Sequence, residues 1–320
     1  MKLIIQIPCF NEETTLPITF EQLPKQFKGV DQVEVLVIDD GSQDRTVEVA
    51  QRLGVHHVVR FTNNKGLARA FMAGIDASLK LGADIIVNTD ADNQYRAEDI
   101  QPLIDPILEG NADLVIGERP IDDIQHFSFT KKKLQRLGSW VVRLVSGTEI
   151  PDATSGFRAY SRDAALRLNL LSSFTYTLET IIQAGKQDIA ITSVPIRTNP
   201  NLRESRLYTS IWSYVKRSGG TIFRIFTMYE PLKVFSLLGG GIFGVGVLIG
   251  LRYLYFNWMG QGSGHIQSLI LGAALLIIGF QVVVLGLLSD LIASNRKLIE
   301  DGLFRIKKIE LKQEKPDPPT

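Results

Sequence analysis

Short apolar segments alternate with longer amphipathic segments along the first two-thirds of the chain. The apolar segments have the length and composition of buried strands, and they cover Lys2 to Pro8, Val33 to Asp39, His57 to Phe61, Ile85 to Asn88 and Asp113 to Gly117. Between them, apolar residues recur at three- and four-residue spacing, which predicts helices over 13–26, 45–53, 66–81 and 97–109. This alternation predicts an α/β fold with a mostly parallel central sheet that helices cover on both faces.

Two long apolar stretches follow, over 232–256 and 266–289, and each is about long enough to cross a bilayer. They predict a hairpin of two transmembrane helices, with a pair of buried core helices as the disfavoured alternative. Lys and Arg precede the first stretch and follow the second but are absent from 257–265, so we expect an integral protein of the cytoplasmic membrane with its N-terminal domain and both termini in the cytoplasm. Small residues such as Gly244 and Gly246 predict close helix contacts, which would support a homo-oligomer.

The segment before the first apolar stretch combines aromatic, apolar and basic residues. It predicts two interfacial helices, over 208–217 and 221–229, separated by Gly219-Gly220, although packing against the N-terminal domain would give the same pattern. The predicted organisation is an N-terminal domain over 1–206, interfacial helices over 207–230, a transmembrane hairpin over 231–290 and a cytoplasmic C-terminal tail over 291–320. The proline-containing end of that tail has the composition of a disordered segment.

Composition and missing motifs exclude several classes of protein. A net charge of +1 gives no reason to expect nucleic acid as a partner, and the single cysteine, Cys9, cannot form an internal disulfide. The first residues lack the pattern of a signal peptide. No Gly-x-Gly-x-x-Gly follows the first strand and no P-loop occurs, so the main signatures of Rossmann dehydrogenases and P-loop nucleotidases are missing.

Polar residues follow each predicted strand, at the point where the strand ends. In an α/β sheet ligands bind beyond the carboxyl ends of the strands, so these residues are expected to converge on one crevice. Asp39 and Asp40 follow the second strand, although beside Gly41 they also suit the alternative role of turn and cap residues. The other clusters lie at 8–13, 63–66, 90–94 and 117–119.

Asp90 and Asp92 stand one residue apart on the segment that leaves the fourth strand, and Gln94 follows. Both carboxylates can therefore point toward one cation, with the Gln94 amide oxygen as a further ligand. Mg²⁺ and Mn²⁺ prefer such oxygen ligands. The cluster predicts a Mg²⁺ or Mn²⁺ site, while a solvated Asp-x-Asp turn is the alternative.

The order and spacing of these motifs resemble the family 2 glycosyltransferases, and more narrowly the polyisoprenyl-phosphate glycosyltransferases of the dolichol-phosphate mannose synthase and bactoprenol glucosyltransferase types. The resemblance covers nearly the whole chain. It implies a type A glycosyltransferase (nucleotide-diphospho-sugar transferase) fold, followed by interfacial helices and two transmembrane helices. The motifs that carry it are Ile7 to Glu12, Val37 to Ser42 with Asp44, Asn64 to Gly66, Asp90 to Gln94, Gly117 to Arg119 and Asp152 to Arg158.

The resemblance also implies roles for individual residues. Donor binding is implied for Pro8, Asn11, Glu12, Asp39, Asp40, Lys65, Asp90, Ala91 and Asp92, and metal binding for Asp90, Asp92 and Gln94. The acceptor phosphate would meet Arg119, Lys132, Lys133, Arg136, Arg158, Arg203 and Arg206, with a solvated charge run as the alternative for the lysines. Catalytic roles fall on Asp92, Arg119 and Asp152. Asp152 would act as a base or an orienting carboxylate, unless it only caps the turn before Ser155-Gly156.

The implied reaction is an inverting transfer of a hexose to a polyisoprenyl phosphate, such as undecaprenyl phosphate, whose chain lies in the membrane. UDP-glucose is the first choice of donor, and GDP-mannose, as in dolichol-phosphate mannose synthases, or a modified UDP-pentose is the alternative. A processive polysaccharide synthase is disfavoured because two spans do not readily enclose a polymer channel. A membrane-anchored nucleotide-sugar-binding protein without turnover is the non-enzymatic alternative.

Overall fold

The computed structural model describes residues 1–120, 129–170, 176–200, 211–260 and 265–313, and for 129–135 and 211–218 it describes the backbone alone. The strands are β1 (Lys2–Cys9), β2 (Gln32–Asp39), β3 (His57–Arg60), β4 (Ile85–Asn88), β5 (Leu114–Glu118), β6 (Arg158–Ser161) and β7 (Ile191–Pro195). The helices are α1 (Leu16–Glu21), α2 (Thr46–Arg52), α3 (Leu67–Lys80), α4 (Ile100–Leu108), α5 (Phe129–Ser146), α6 (Arg162–Arg167), α7 (Thr177–Lys186), α8 (Ile211–Tyr229), α9 (Pro231–Trp258) and α10 (Ile266–Gln313).

These strands form one sheet in the order β3-β2-β1-β4-β6-β5-β7. β6 runs antiparallel to its neighbours β4 and β5, whereas the other strand pairs are parallel. The predicted mostly parallel sheet is therefore confirmed. The continuous apolar runs in β1 and β4 fit this arrangement, because central strands of a parallel sheet are buried on both faces.

β1 lies at the centre of the sheet and contributes to the core on both of its faces. Leu3, Ile5 and Ile7 point to one face and are fully buried in the cluster that includes the apolar side of α4. On the other face α3 approaches closely, since a Cβ added at Gly74 would lie 2.5 Å from Gln6 Oε1. Helices thus cover the sheet on both sides and leave its strand ends as the accessible edge.

The strand order reverses at β1, because β2 and β3 lie on one side of it and β4 begins the other side. Such a reversal opens a crevice beyond the carboxyl ends of the strands. Since β6 runs in the opposite direction, its first residue, Arg158, pairs with Asn88 of β4 and Ile116 of β5. The residues that precede β6 therefore reach the same edge as the loops that follow β1, β2, β4 and β5.

Three local differences separate the structure from the sequence-based expectations. The helix expected over 13–26 is shortened to α1, because the backbone N–H of Glu13 donates to Asp44 Oδ2 at 3.1 Å and belongs to the loop contacts. β6 (Arg-Ala-Tyr-Ser) and β7 (Ile-Thr-Ser-Val-Pro) are additional strands, and neither contains the continuous apolar run that marks the central strands. The predicted break at Gly219-Gly220 is wrong, because α8 continues through both glycines. An interior glycine disfavours a helix by about 1 kcal/mol relative to alanine, and here that does not end it.

The chain forms two compact units, Met1–Ile222 with Leu303–Thr320, and Phe223–Gly302. In the second unit, α9 and α10 are each long and apolar enough to cross a membrane. Only 17% of the most apolar window of each helix is buried, which disfavours the alternative of two core helices.

α10 continues as one helix to Gln313, well beyond the expected end of the second span. Its last turns belong to the first unit and contact the end of α6. Arg167 Cζ lies 4.4 Å from the centre of the Phe304 ring, and Lys307 Nζ donates to Asn169 Oδ1 at 3.3 Å. The segment expected as a separate tail therefore begins as a helix that packs on the N-terminal domain, while 314–320 lie outside the described residues.

Glycines allow α9 and α10 to approach closely inside the second unit. A Cβ at Gly279 would lie 2.6 Å from the backbone nitrogen of Phe243, and one at Gly246 would lie 2.9 Å from that of Leu276. By contrast, a Cβ at Gly240 would meet nothing within 4 Å. Gly246 therefore serves contacts within the chain, where the sequence had suggested contacts with other copies.

This asymmetry predicts different effects of two matched substitutions. Gly279→Leu should destabilise the second unit by about 1–3 kcal/mol, because the added side chain has no space between the helices. Gly240→Leu should change stability little, because its side chain enters open space. Thermal unfolding of both variants in the same detergent measures the difference. Equal losses would contradict the described helix contact.

Candidate active site

The loops after β1, β2 and β3 are held together by hydrogen bonds from the residues predicted to bind the donor. Asn11 has a left-handed backbone (φ 55°), and its Oδ1 accepts from the backbone of Gln43 at 2.8 Å. The backbone N–H of Glu12 donates to Thr46 Oγ1 at 2.8 Å. Pro8 is a buried residue within β1. These predicted residues thus shape the loops and the strand end that border the crevice.

Asp39 ends β2 with a fully buried carboxylate. Its Oδ1 accepts a hydrogen bond from the backbone of Ser42 at 3.1 Å. Its Oδ2 accepts no hydrogen bond from the described residues, although Arg60 Nε lies 3.4 Å away. A buried carboxylate oxygen without a donor is costly, so this atom is suited to accept an N–H group from a ligand.

Asp40 organises the loop that leads into α3. Its carboxylate accepts hydrogen bonds from the backbone of Lys65 at 2.7 Å and of Gly66 at 2.9 Å. Burial raises its pKa despite these bonds. The side chain of Lys65 places its Nζ 4.5 Å from the centre of the Phe61 ring. A Cβ at Gly41 would lie 2.4 Å from the backbone of the same loop, so only glycine fits there.

Asp90 and Asp92 lie directly after β4, at the carboxyl edge of the sheet. Burial, followed by the charge of Asp92, raises the pKa of Asp90 to about 7. A bound cation would reverse this effect, because a positive charge beside a carboxyl group favours its ionised form. Ala91 between them is buried and fixes the spacing of the pair.

This donor set fits Mg²⁺ or Mn²⁺. Such cations are commonly held by one or two carboxylates together with substrate phosphates and water. Among the described residues, no group of three or more His, Cys, Asp or Glu side chains could hold a metal. The backbone N–H of Gln94 donates to Asp92 Oδ1 at 3.2 Å and so orients that carboxylate. The arrangement suits a cation that is shared with a phosphorylated ligand.

Gly156 lies at the centre of a hydrogen-bond network that sequence reasoning missed. Its backbone N–H donates to Tyr95 Oη at 3.0 Å, and its carbonyl accepts from Asn88 Nδ2 at 2.9 Å and from Tyr176 Oη at 3.2 Å. A Cβ at Gly156 would lie 2.8 Å from Tyr176 Oη and 2.9 Å from Asp90 Oδ2. Tyr95 directly follows the acidic motif, whereas no sequence signal marks Tyr176.

Arg119 and Asp152 form a buried bidentate ion pair. Arg119 Nε donates to Asp152 Oδ2 at 2.7 Å, and Arg119 Nη2 donates to Asp152 Oδ1 at 3.0 Å and to Thr154 Oγ1 at 2.8 Å. Burial opposes ionisation of Asp152, but the charge of Arg119 together with the hydrogen bonds from Arg119 and Thr154 outweighs it and lowers the pKa of the carboxyl. The same carboxylate raises the pKa of Arg119 against the effect of its burial. Arg119 therefore presents a fixed positive charge beside the acidic pair.

The other cations predicted to bind the acceptor phosphate are placed differently. Arg158 is fully buried and donates to the carbonyls of Ser155 and Ala153 and to Thr180 Oγ1, so its guanidinium supports the loop before β6. Arg136 lies on an exposed part of α5. Lys132 and Lys133 belong to the part of α5 described by backbone alone, and Arg203 and Arg206 lie outside the described residues.

The segment after β7 holds the acidic loop in place. Arg197 donates to both carboxylate oxygens of Asp99, with Nη2 2.6 Å from Oδ1 and the backbone nitrogen 2.6 Å from Oδ2. The backbone nitrogen of Asn199 donates to the carbonyl of Gln94 at 2.9 Å. The residues that follow Asp92 are thus fixed by the segment after β7, which is about 100 positions distant in sequence.

Known proteins are similar to this chain in sequence. Polyprenol monophosphomannose synthase of Mycolicibacterium smegmatis is 28% identical over 231 residues, which cover 65% of this chain and 86% of that protein. Dolichol-phosphate mannosyltransferase of Pyrococcus furiosus is 30% identical over 271 residues, which cover 80% of this chain and 73% of that protein.

A solved structure shows the same type A glycosyltransferase fold. Glucosyl-3-phosphoglycerate synthase from Mycobacterium tuberculosis, crystallised with Mn²⁺, UDP and glucosyl-3-phosphoglycerate, has a TM-score of 0.55 and 18% sequence identity. The superposition covers 71% of this chain and 78% of that one. The pattern described as Glycosyl transferase family 2 matches residues 4–168, slightly more than half of the chain. The chain belongs to glycosyl transferase family 2.

Proposed function

We propose that this protein transfers a hexose from a nucleoside diphosphate sugar to a polyisoprenyl phosphate at a membrane surface, with inversion at the anomeric carbon. The observation that carries the proposal is the opposition of charges at one edge of the sheet. An acidic pair, Asp90 and Asp92, faces a fixed cation, Arg119, and Arg119 in turn affects the charge of Asp90. These two elements suit a cation-bound diphosphate and an acceptor phosphate, respectively.

The donor side is supported by three features of the crevice. The unsatisfied Oδ2 of Asp39 can accept an N–H group of the nucleotide base. The loops tied by Asn11 and Asp40 border the space for the nucleoside. Asp90 and Asp92 lie where a diphosphate can complete the coordination of Mg²⁺ or Mn²⁺. When bound, the cation neutralises negative charge that develops on the departing phosphate.

The acceptor side depends on Arg119. Its guanidinium is oriented by Asp152 and Thr154, and arginine recognises phosphate with greater geometric specificity than lysine. A phosphate oxygen is already anionic near neutral pH, so attack on the sugar does not need a general base. Asp152 is engaged with Arg119, and we therefore assign it the orienting role and not that of a base. Arg136, Arg203, Arg206, Lys132 and Lys133 remain proposed contacts for the lipid phosphate.

The membrane anchor completes the proposal. α9 and α10 would span the bilayer, with both termini and the catalytic domain in the cytoplasm, and α8 would lie at the interface. The polyisoprenyl chain would stay in the bilayer while its phosphate reaches the crevice. UDP-glucose is the donor chosen from the sequence, whereas two relatives described above are named for mannosyl transfer, so GDP-mannose is the competing donor.

The central experiment offers labelled UDP-glucose, GDP-mannose and UDP-N-acetylglucosamine separately to membranes that contain the protein, undecaprenyl phosphate and Mg²⁺ or Mn²⁺. We expect label from one donor to enter the organic phase, and chelation of divalent cations to abolish this transfer. Binding of a donor without any glycolipid product would favour the non-catalytic alternative. The absence of both binding and product would refute the proposal.

Replacement of one carboxylate of the acidic pair should affect turnover far more than folding. Asp92→Asn should lower kcat about 100-fold or more, because the cation loses an anionic ligand at the departing phosphate. Glu48→Gln, which alters an exposed carboxylate on α2, is the matched control and should retain activity. Initial rates and thermal unfolding are measured for both variants. Unchanged turnover in Asp92→Asn would exclude the proposed metal site.

The pH dependence distinguishes an orienting carboxylate from a base. Because the pKa of Asp152 is lowered, the carboxylate is ionised at every pH above its ordinary range, and its contribution is lost only as the pH falls through the lowered value. Titration of Asp152 should therefore leave kcat unchanged between about pH 5 and 8. Any change of kcat with pH in this range should persist in Asp152→Asn.

Asp152→Asn should instead raise the KM for polyisoprenyl phosphate at least tenfold, because Arg119 loses its orientation. Donor affinity, measured separately, reports whether the variant is folded, and Arg119→Lys should show the same selective loss for the acceptor. A variant that loses kcat and a pH limb, with an unchanged KM for the lipid, would identify Asp152 as a base.

A further inference from the structure

A second candidate site lies in the other unit, at the end of the membrane-length helices. An open cavity of about 520 Å³ is lined by the last turns of α8, the start of α9 and the middle of α10. Its lining is mainly apolar and includes Phe223, Phe235 and Ile292. A cavity of this size is within the range that binds small ligands.

Two of the residues that line this cavity carry polar atoms without partners among the described residues. Thr227 Oγ1 and Arg296 Nη1 are both buried and form no hydrogen bond there. The rest of the Arg296 guanidinium is engaged, since Nε donates to Glu300 Oε1 at 2.7 Å and Nη2 donates to Tyr229 Oη at 3.1 Å. A hydroxyl and a guanidinium N–H left unsatisfied in one apolar cavity indicate an acceptor group supplied by a ligand.

The position of the cavity along the helices identifies the kind of ligand. The apolar stretch of α10 ends at Ser289, and Arg296 follows seven residues later, which is about 10 Å along a helix. The lining on α10 therefore begins with Ser289, at the end of the apolar stretch, and extends across the layer of roughly 5–8 Å that lipid head groups occupy beside the hydrocarbon core. A ligand with an apolar body and a polar acceptor at that depth has the chemistry of a membrane lipid.

The charge of the cavity favours an anionic lipid. Glu300 offsets the charge of Arg296, but Arg224 also lines the cavity, so these three groups together carry a net positive charge. Cations at head-group depth attract anionic lipids. Arg119, to which the acceptor phosphate of the proposed reaction is assigned, does not line this cavity, so we assign the cavity to a different anionic lipid.

We propose that this cavity binds one anionic phospholipid, whose phosphate accepts hydrogen bonds from Thr227 and Arg296 and whose acyl chain packs against Phe223, Phe235 and Ile292. The site goes beyond the proposed glycosyl transfer; it rests on the proposed membrane spans and not on the transfer itself. Phospholipid binding would persist in a protein with no sugar-transfer activity, so the two proposals fail separately.

The test is a titration of the full-length protein in detergent with phosphatidylglycerol, followed by native mass spectrometry. Wild-type protein should bind one phosphatidylglycerol at least fivefold more tightly than phosphatidylcholine. Thr227→Val combined with Arg296→Met should weaken phosphatidylglycerol binding at least tenfold. Arg252→Met is the matched control, because Arg252 lies near the other end of α9 with its Cζ 5.7 Å from the Phe256 ring. It should bind as the wild type does.

Thr227→Val alone keeps the shape of the side chain and should weaken phosphatidylglycerol binding at least threefold. This single variant tests the site even if the double variant does not fold. Equal affinity of wild type and Thr227→Val for phosphatidylglycerol would overturn the site. Equal binding of phosphatidylcholine would overturn the requirement for an anionic lipid. Displacement of phosphatidylglycerol by undecaprenyl phosphate, with the same sensitivity to the substitutions, would reassign the cavity to the acceptor lipid.

Discussion

The direction of one short strand determines the composition of the active site. β6 runs antiparallel between β4 and β5, so the loop that precedes it returns to the carboxyl edge of the sheet. Without this reversal Asp152 and Gly156 would lie at the opposite edge, far from the loops that follow the parallel strands. The buried guanidinium of Arg158 fixes the loop by donating to two of its carbonyls. Arg158, at the start of β6, thus supports the loop that carries Asp152 and Thr154, the two residues that orient the guanidinium of Arg119.

Charge is arranged in this site so that each group stabilises its neighbour or a ligand. The pair of Arg119 and Asp152 is satisfied within the protein, which keeps the cation ionised and stationary in a buried position. In the acidic pair, burial together with the charge of Asp92 favours the protonated form of Asp90 until a cation binds. Binding of a divalent ion together with a diphosphate would therefore favour ionisation of Asp90. Arg119 keeps its positive charge and its position, because it remains paired with Asp152.

One helix, α10, contributes residues to both compact units. α10 contributes to the apolar second unit through its first turns and to the N-terminal domain through its last turns, where Phe304 and Lys307 contact the end of α6. Glycines at close contacts allow the backbones of α9 and α10 to pack against each other. Small residues at helix contacts are common in membrane proteins, where the hydrophobic effect does not drive helices together.

Local pattern alone determined the strand and helix alternation, the acidic motif at Asp90 and Asp92, and the two membrane-length helices, because each is encoded within some 25 consecutive residues. Only the tertiary structure decided which distant groups meet. The pairing of Arg119 with Asp152 and the contacts of Tyr176 with Gly156 depend on packing between segments, which neither spacing nor propensity records. The role of Arg158 shows the limit most clearly, since a cation in a functional motif proved to be a buried support of the loop.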